Sequence, residues 1–179
     1  IKLSTGTSGN SEIPYYDHLA LVSGNANYND EAGIYPAQSG NEELSWEQTW
    51  ANNIGLSLGF FNRVNLNVDF YHKKTTNMLM LVPQSYAITG VGNRWDNIGA
   101  MMNRGVEVAI DGDVIRTKDF TWNLSANVSY NKNKLLELYN GVEEYVNSTT
   151  GLKYVVGHPV HEYFMNRYAG VNPANGDAL

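Results

Sequence analysis

Two histidines near the end of the chain have the composition of a candidate metal site. His158 and His161 are separated by two residues, and Glu162 follows the second histidine directly. Imidazole and carboxylate groups bind zinc when a helix or a tight turn brings them to one side of the backbone. The neighbouring residues carry no helical periodicity that would do this. We therefore interpret both histidines as loop residues near the start of a strand, and we predict neither a metal nor another cofactor.

Two other groups of oxygen-bearing side chains resemble sites but have simpler explanations. Asp111 and Asp113 have the spacing of paired carboxylates for acid–base catalysis, yet they lie at the turn end of a predicted strand, where exposed acids are common. Residues 172–177 (NPANGD) are similar to part of a calcium loop, although Asn-Pro and Asn-Gly are turn formers first. No phosphate loop, nucleophile motif or dinucleotide fingerprint occurs. The sequence therefore predicts that the protein is not an enzyme.

The most regular pattern in the sequence is an alternation of apolar and small polar residues. Residues 120–131 (FTWNLSANVSYN) alternate without interruption, which predicts a β-strand because successive side chains of a strand point to opposite faces. The polar face carries Asn, Ser and Thr instead of the usual charges. Amide groups both donate and accept hydrogen bonds, so such a face can stay hydrated or contact another polar surface.

The same period of two predicts three more strands, at residues 46–60, 64–71 and 106–114. The first two are joined by Phe61-Asn62-Arg63, which we expect to form a tight hairpin turn with Asn62 in a left-handed conformation. Residues 115–119 are the predicted link into the strand at 120–131.

Four further segments carry weaker patterns. We predict a strand at residues 13–22, and another one, with a weaker pattern, at 160–171. The segments that best fit a helix are 45–50 and 133–146, and the second of these is interpreted as a loop with at most one or two helical turns.

The links between these strands alternate between short and long. The links at 61–63 and 115–119 are short, whereas those before Trp46, from Thr75 to Asp96, and after Asn131 are long. Long structureless loops are unusual in compact soluble domains. Short turns at one end and long loops at the other are typical of transmembrane β-barrels. The alternative is an antiparallel soluble sheet with one packed and one hydrated face, such as a β-sandwich module that binds glycans.

Aromatic residues mark the two ends of the apolar face. Trp50 and Phe60 lie ten residues apart on one strand, and so do Phe120 and Tyr130 on another. Ten residues of a tilted strand span roughly 25 Å, the height of the apolar band between the aromatic girdles of outer-membrane barrels. These four residues are the predicted lipid-facing girdle. Arg104 has the parity of the lipid face, but it lies beyond the apolar run.

Composition excludes several classes of protein. The chain has 179 residues and a net charge of −6 without a basic run, and nucleic-acid binding requires clustered Lys and Arg. There is no Cys, which excludes disulfides and thiolate metal sites. No apolar run approaches the roughly 18 residues of a membrane helix, whereas β-barrels escape this test because every second residue is polar.

Several blocks, taken in order, resemble one known family. They are TGTSGNS at 5–11, NEELSWEQTWANNIGLSLGFFNRVNLNVDFYHKKTTNML at 41–79, NIGAMMNRGVEV at 97–108 with the hairpin that follows it, and VGHPVHEYFMNRYAGVNPANGDAL at 156–179. The family's Asn-x-Gly and Asn-x-Gly-Val-Glu elements correspond to Asn97, Gly99, Asn103, Gly105, Val106 and Glu107. On these residues the chain is similar to the C-terminal barrel of SusC/RagA-type TonB-dependent outer-membrane transporters of Bacteroidetes.

The resemblance implies more than the residues themselves do. It implies a barrel of about 22 strands, of which this chain supplies about five or six, with long extracellular loops. It also implies a plug domain, a SusD-like surface lipoprotein as lid, TonB as energy source, and import of oligosaccharides or peptides through the bacterial outer membrane. We expect residues 1–179 to be part of the barrel domain only, without the plug and the N-terminal segment that contacts TonB.

The predicted barrel assigns the remaining polar residues. The candidate lumen-facing residues are Asn53, Asn65, Asn67, Asn97, Asn103, Glu107, Asn123 and Asn127. They either keep the wall hydrated and contact the plug, or contact a neutral polar solute. The long loops at 23–40 and 81–95 mix Tyr, Trp, Asn and Gln, and we expect substrate contacts to come from them.

Overall fold

The computed structural model describes residues 1–146, 151–160, 162 and 168–177. The strands are β1 (Lys2–Asn10), β2 (Leu21–Tyr28), β3 (Glu31–Gln38), β4 (Glu47–Phe60), β5 (Val64–Thr76), β6 (Leu79–Pro83), β7 (Asn93–Asn97), β8 (Ala100–Arg116), β9 (Thr121–Glu137), β10 (Glu144–Val146) and β11 (Lys153–Val155). A helix α1 (Tyr86–Thr89) and a 3₁₀ turn (Tyr139–Gly141) complete the described elements. The protein is therefore all-β and antiparallel, as predicted.

The principal sheet contains five antiparallel strands in the order β1-β4-β5-β8-β9. The turn between β4 and β5 is the predicted hairpin: Phe61 and Asn62 have φ of 54° and 51°, and Arg63 N donates to Phe60 O at 3.0 Å. The turn between β8 and β9 is shorter than predicted, because β8 continues to Arg116. It is closed by Thr117 N donating to Phe120 O at 2.7 Å.

The register of the sheet separates its two faces completely. Four consecutive rows of paired residues across β4, β5, β8 and β9 carry no charged or amide side chain. These rows are Ile54–Phe70–Val106–Tyr130, Leu56–Val68–Val108–Val128, Leu58–Leu66–Ile110–Ala126 and Phe60–Val64–Gly112–Leu124. We call this the apolar face, and we call the opposite side, formed by the odd-numbered positions of the same strands, the amide face.

The apolar face is uncovered in the described part of the chain. Leu124 is 55% exposed and Val128 is 67% exposed. No second sheet packs on either face among the described residues. The alternative of a β-sandwich is therefore wrong, because a sandwich would bury this face against a second sheet.

The buried residues lie at the end of the sheet where the long connections meet. The hairpin β2–β3 lies in the connection from β1 to β4, and the hairpin β6–β7 lies in the connection from β5 to β8. The buried apolar side chains are Val82, Val91, Ala100, Leu135 and Leu138. The long connections are thus folded hairpins, whereas the sheet itself has no core on either side.

Several local predictions were wrong. β1 was not predicted, and of the strand predicted at 13–22 only Leu21 and Val22 are in a strand, the start of β2, whereas residues 13–20 form turns and coil. Residues 45–50 are not helical, since β4 begins at Glu47. The interpretation of 133–146 as a loop was wrong at both ends, since residues 133–137 extend β9 and residues 144–146 form β10. The single 3₁₀ turn between them agrees with the predicted one or two helical turns at most.

The pairing of β8 with β9 is irregular near the turn between them. A β-bulge at Val114 shifts the register by one residue, so that Asp113 pairs with Asn123 but Ile115 pairs with Trp122. Most of the weak strand predicted at 160–171 lies outside the described residues. None of the helical segments in the described part of the chain is long and apolar enough to cross a membrane.

Candidate functional site

The amide face brings together all but one of the predicted lumen-facing residues. The rows of this face include Ser57–Asn67–Ala109–Asn127 and Gly59–Asn65–Asp111–Ser125. The residues that lie on it are Asn53, Asn65, Asn67, Asn103, Glu107, Asn123 and Asn127. Their common placement follows from strand parity, because residues two apart share a face.

Amide-to-acid hydrogen bonds connect adjacent strands on this face. Asn65 Nδ2 donates to Asp111 Oδ2 at 3.0 Å, and Asn123 Nδ2 donates to Asp113 Oδ1 at 3.3 Å. Each carboxylate thus has its own amide partner, and Asp113 also lies 3.6 Å from the Arg116 guanidinium. The geometry gives these two acids a role in holding adjacent strands together.

A second set of hydrogen bonds lies nearer the long loops. Asn133 Nδ2 donates to Asn103 Oδ1 at 2.7 Å, and Asn133 Oδ1 accepts from Val160 N at 2.8 Å. The Tyr71 hydroxyl donates to Asn131 Oδ1 at 3.0 Å. These contacts fix the orientation of several amides, so the face presents a preset pattern of donors and acceptors.

An open cavity of about 630 Å³ lies on the amide face. Its lining combines the cations Lys2 and Lys73 with the acids Asp69 and Glu107. Among the predicted residues, Asn53, Asn103 and Glu107 line it. The cavity is suited to a polar solute or polar protein segment of either charge, because both signs are present beside neutral amides.

Some residues of this cavity were missed in the predicted site. Asp69, Tyr71 and Asn131 line the cavity and have the odd-numbered parity of the predicted residues. Their parity was the available signal, because the predicted lumen-facing residues of the same strands are odd-numbered as well. Lys2 carried no such signal because β1 lacks a regular alternation.

Asn97 is the predicted residue that does not lie on the amide face. It ends β7 in the long connection, where Asn97 Nδ2 donates to Ser45 O at 2.7 Å and to Asn77 O at 3.0 Å. Asn97 Oδ1 accepts from Ser45 N at 2.6 Å. Asn97 therefore ties two long connections together at the loop end.

The two loops predicted to contact substrate meet in one cleft of about 460 Å³. The first loop contributes residues 35–39, and the second contributes Leu81 and residues 90–95 together with Tyr86. Trp95 Nε1 donates to Asp17 Oδ2 at 2.6 Å, which fixes the indole at the edge of the cleft. Aromatic rings beside Gln, Asn and Arg provide stacking surfaces and hydrogen-bonding groups in one place.

The candidate metal sites have other partners in the structure. His158 Nδ1 contacts Glu162 Oε2 at 2.7 Å, while His161 lies outside the described residues. In the 172–177 segment, Asn172 Oδ1 accepts from Ala174 N at 3.0 Å and Asn175 Nδ2 donates to Asp177 Oδ2 at 2.6 Å. These bonds are those of a turn, and the described residues contain no group of three or more potential metal ligands.

The four predicted girdle residues are even-numbered, like the residues of the apolar face. Those on β4 do not lie in the same paired rows as those at β9, and the offset is the same at both ends of the face. The row through Trp50 reaches β9 at Lys134, four residues beyond Tyr130. The row through Phe60 reaches β9 at Leu124, four residues beyond Phe120, which lies directly before the strand. At each end of the apolar face, the aromatic residue on β9 is thus displaced by four residues along the strand relative to the one on β4, which lies three strand spacings away.

Comparison with known proteins identifies relatives over most of the chain. A family model described as TonB dependent receptor-like, beta-barrel, matches residues 6–175. TonB-dependent receptor P39 of Formosa agariphila is 41% identical over 77% of this chain and 13% of its own length. TonB-dependent receptor SusC of Bacteroides thetaiotaomicron is 34% identical over 78% of this chain and 15% of its own length. The chain therefore spans about a seventh of these relatives.

Solved structures of a transporter are similar as well. A structure of the RagAB peptide transporter is 38% identical, with a TM-score of 0.84 over 99% of this chain and 20% of that chain. The RagAB peptide importer in its open-open state matches with a TM-score of 0.87 over 98% of this chain and 19% of that chain.

Proposed function

Because this chain belongs to the family of TonB-dependent receptor β-barrels, we propose that residues 1–179 form part of the wall of an outer-membrane nutrient importer. The family membership confirms the predicted resemblance and the barrel fold class. The family consists of receptors and transporters, and not of enzymes, in line with the prediction from sequence motifs. The domain assignment is part of this proposal: we assign these residues to the barrel domain, and we place the plug and the segment that contacts TonB in other parts of the protein.

The observation that carries this proposal is the inclined aromatic boundary of the apolar face. Four residues along a strand cover about 13 Å and three strand spacings cover about 14 Å. A line along either aromatic edge is therefore inclined by about 42° to the direction perpendicular to the strands. Strands of outer-membrane barrels tilt by about 35–45°, so these edges would lie parallel to a membrane plane. A bilayer then covers the apolar face that no part of the described chain covers.

The amide face consequently looks into the barrel. There it meets water, the plug or a passing solute, and its mixed donors and acceptors suit each of these. Within the described residues, β1 and β9 each have one unpaired edge, and we place further strands of the same barrel there, since unpaired strand edges are not tolerated in lipid. The loop end, with its cleft between β2–β3 and β6–β7, faces the outside of the cell.

The substrate class that we propose is an oligosaccharide or a peptide. The loop cleft places Tyr35, Tyr86 and Trp95 beside amide groups, which suits either polymer. One similar structure is titled a peptide transporter, and one relative is named SusC. A SusD-like lipoprotein as lid and a TonB complex as energy source complete the proposal.

Site-directed spin labelling tests the placement of the two faces. In the full-length protein in lipid nanodiscs, labels at Val108 and Leu124 should be accessible to oxygen, and labels at Glu107 and Asn123 to a water-soluble nickel chelate. The neighbouring positions 107/108 and 123/124 are matched controls for one another, since each pair differs in face but hardly in depth. The opposite accessibility pattern would refute the proposal.

A further inference from the structure

Five basic side chains lie on the side of the sheet that carries the apolar face, next to its loop-end edge. Toward the loop end, the next row on this side after Ile54–Phe70–Val106–Tyr130 is Asn52–His72–Arg104–Lys132. The row after that is Trp50–Lys74–Met102–Lys134. We call His72, Lys74, Arg104, Lys132 and Lys134 the basic row. All of them except Lys134 are exposed, and Lys134 is half-buried.

Charge is segregated between the two sides of these strands. On the side of the apolar face, the paired rows from Trp50 down to Phe60 contain no acid, and their Lys, Arg and His side chains are those of the basic row. The acids Asp69, Glu107 and Asp111 lie on the amide face. The net charge of the chain is −6, so this concentration of basic side chains differs from the overall composition.

The basic row has no compensating partner among the described residues. None of its side chains forms an ion pair or a hydrogen bond with them. Arg104 lies directly opposite both His72 and Lys132 on the neighbouring strands. Two like charges, such as those of Arg104 and Lys132, destabilise a sheet when they lie directly opposite one another. An external anion at this position would relieve that repulsion.

The position of the row relative to the aromatic edge defines the kind of anion. The line from Trp50 to Tyr130 passes between His72 and Lys74 on β5 and close to Arg104 on β8. Each residue of a tilted strand rises by about 2.5 Å, so the whole row lies within about 10 Å of this line. That depth is the headgroup layer of a membrane, where long cationic side chains extend along the apolar surface toward polar groups.

A shallow cleft joins the cations to the apolar surface. It has a volume of about 460 Å³ and is lined by His72, Arg104 and Lys132 together with Phe70 and Tyr130, among others. One molecule with an anionic head and an apolar tail fits both parts of this lining. Arg binds phosphate in a bidentate manner and Lys adds point charges.

We propose that the basic row binds the phosphate groups of an anionic lipid headgroup in the outer leaflet of the membrane. The inference rests on the proposed function, since it requires the apolar face to lie in lipid with the loop end outside. It assigns to these strands a lipid-binding site on the outer wall, separate from the amide face and from the loop cleft.

Lipid titration of the full-length protein tests the site. The wild type and a triple variant, Arg104→Gln with Lys132→Gln and Lys134→Gln, are reconstituted in phosphatidylcholine nanodiscs and titrated with diphosphorylated lipid A, with native mass spectrometry as readout. Each cation near a charged membrane surface contributes about fivefold in affinity, so the triple variant should bind lipid A about a hundredfold more weakly. Lys73→Gln is the matched control, because Lys73 lies between His72 and Lys74 in sequence but on the amide face, and its affinity should be unchanged.

The other outcomes overturn the inference. Equal binding by wild type and triple variant, an equal loss in Lys73→Gln, or displacement of lipid A by inorganic phosphate at comparable concentrations would each exclude a specific lipid headgroup site. If the triple variant does not fold, Arg104→Gln alone should show about a fivefold loss. Spin labels at Val108 and Leu124 separate the two proposals, because their accessibility reports membrane placement whether or not lipid A binds.

Discussion

Gly105 shows how a single position determines the packing of the amide face. A Cβ atom added at Gly105 would contact the backbone oxygen of Tyr130 and would lie 2.6 Å from the Tyr71 hydroxyl. The Tyr71 side chain therefore lies across the glycine to reach Asn131 on the next strand. Cross-strand covering of a glycine by an aromatic ring pins the register of a sheet.

Replacement of Gly105 by Ala should therefore destabilise the barrel by about 1–3 kcal/mol, because the Tyr130 backbone cannot move aside. Gly6→Ala is the matched control, since nothing lies within 4 Å of a Cβ at that strand position, and its stability should be equal to or slightly above wild type. The midpoint of thermal unfolding of the full-length protein, read from heat-modified gel mobility, measures both. Equal midpoints for the two variants would contradict the packing described for Tyr71.

At the scale of the element, β9 combines two surfaces on one strand. Its even positions from Trp122 to Tyr130 belong to the apolar face, and its odd positions carry Asn and Ser. Lys132 and Lys134 then interrupt the apolar run on the same side. The strand thus changes from a lipid-facing composition to a headgroup-facing composition without leaving the sheet.

This arrangement predicts different costs for the same substitution at adjacent residues. Leu124→Arg should destabilise the barrel by about 2–4 kcal/mol, because Leu124 lies near the middle of the apolar band. Asn123→Arg should cost much less, since that side chain faces water and lies beside Asp113. Equilibrium unfolding of the full-length protein in urea, in lipid vesicles, gives both values. A larger cost at Asn123 would invert the assignment of the faces.

At the scale of the molecule, the described strands form an open sheet without a core on either face. The edges β1 and β9 have one unpaired side each in the described sheet. Apolar side chains such as Leu124 and Val128 remain more than half exposed. Such a sheet requires both lipid and neighbouring strands for stability.

The isolated 179-residue chain should therefore not fold alone in buffer without detergent. We expect aggregation and no cooperative thermal transition by circular dichroism, whereas the full-length protein in detergent should show a stable β spectrum. A compact monomer with a cooperative melt would instead support an independent soluble module.

The local pattern of the sequence determined most of the main sheet and the composition of its faces. Alternation at 46–60, 64–71, 106–114 and 120–131 and the turn chemistry of Asn62 act over a few residues, so they are visible without a structure. Parity alone then placed most of the predicted amide-face residues together.

Only the tertiary structure decided what depends on pairing between distant segments. β1 has little alternation of its own and is a strand because its backbone pairs with β4. The cleft between 35–39 and 81–95, the tie that Asn97 makes to Ser45, and the alignment of Arg104 with His72 and Lys132 all join residues far apart in the chain. Their proximity follows from strand register and loop packing, and a single sequence carries no local signal of either.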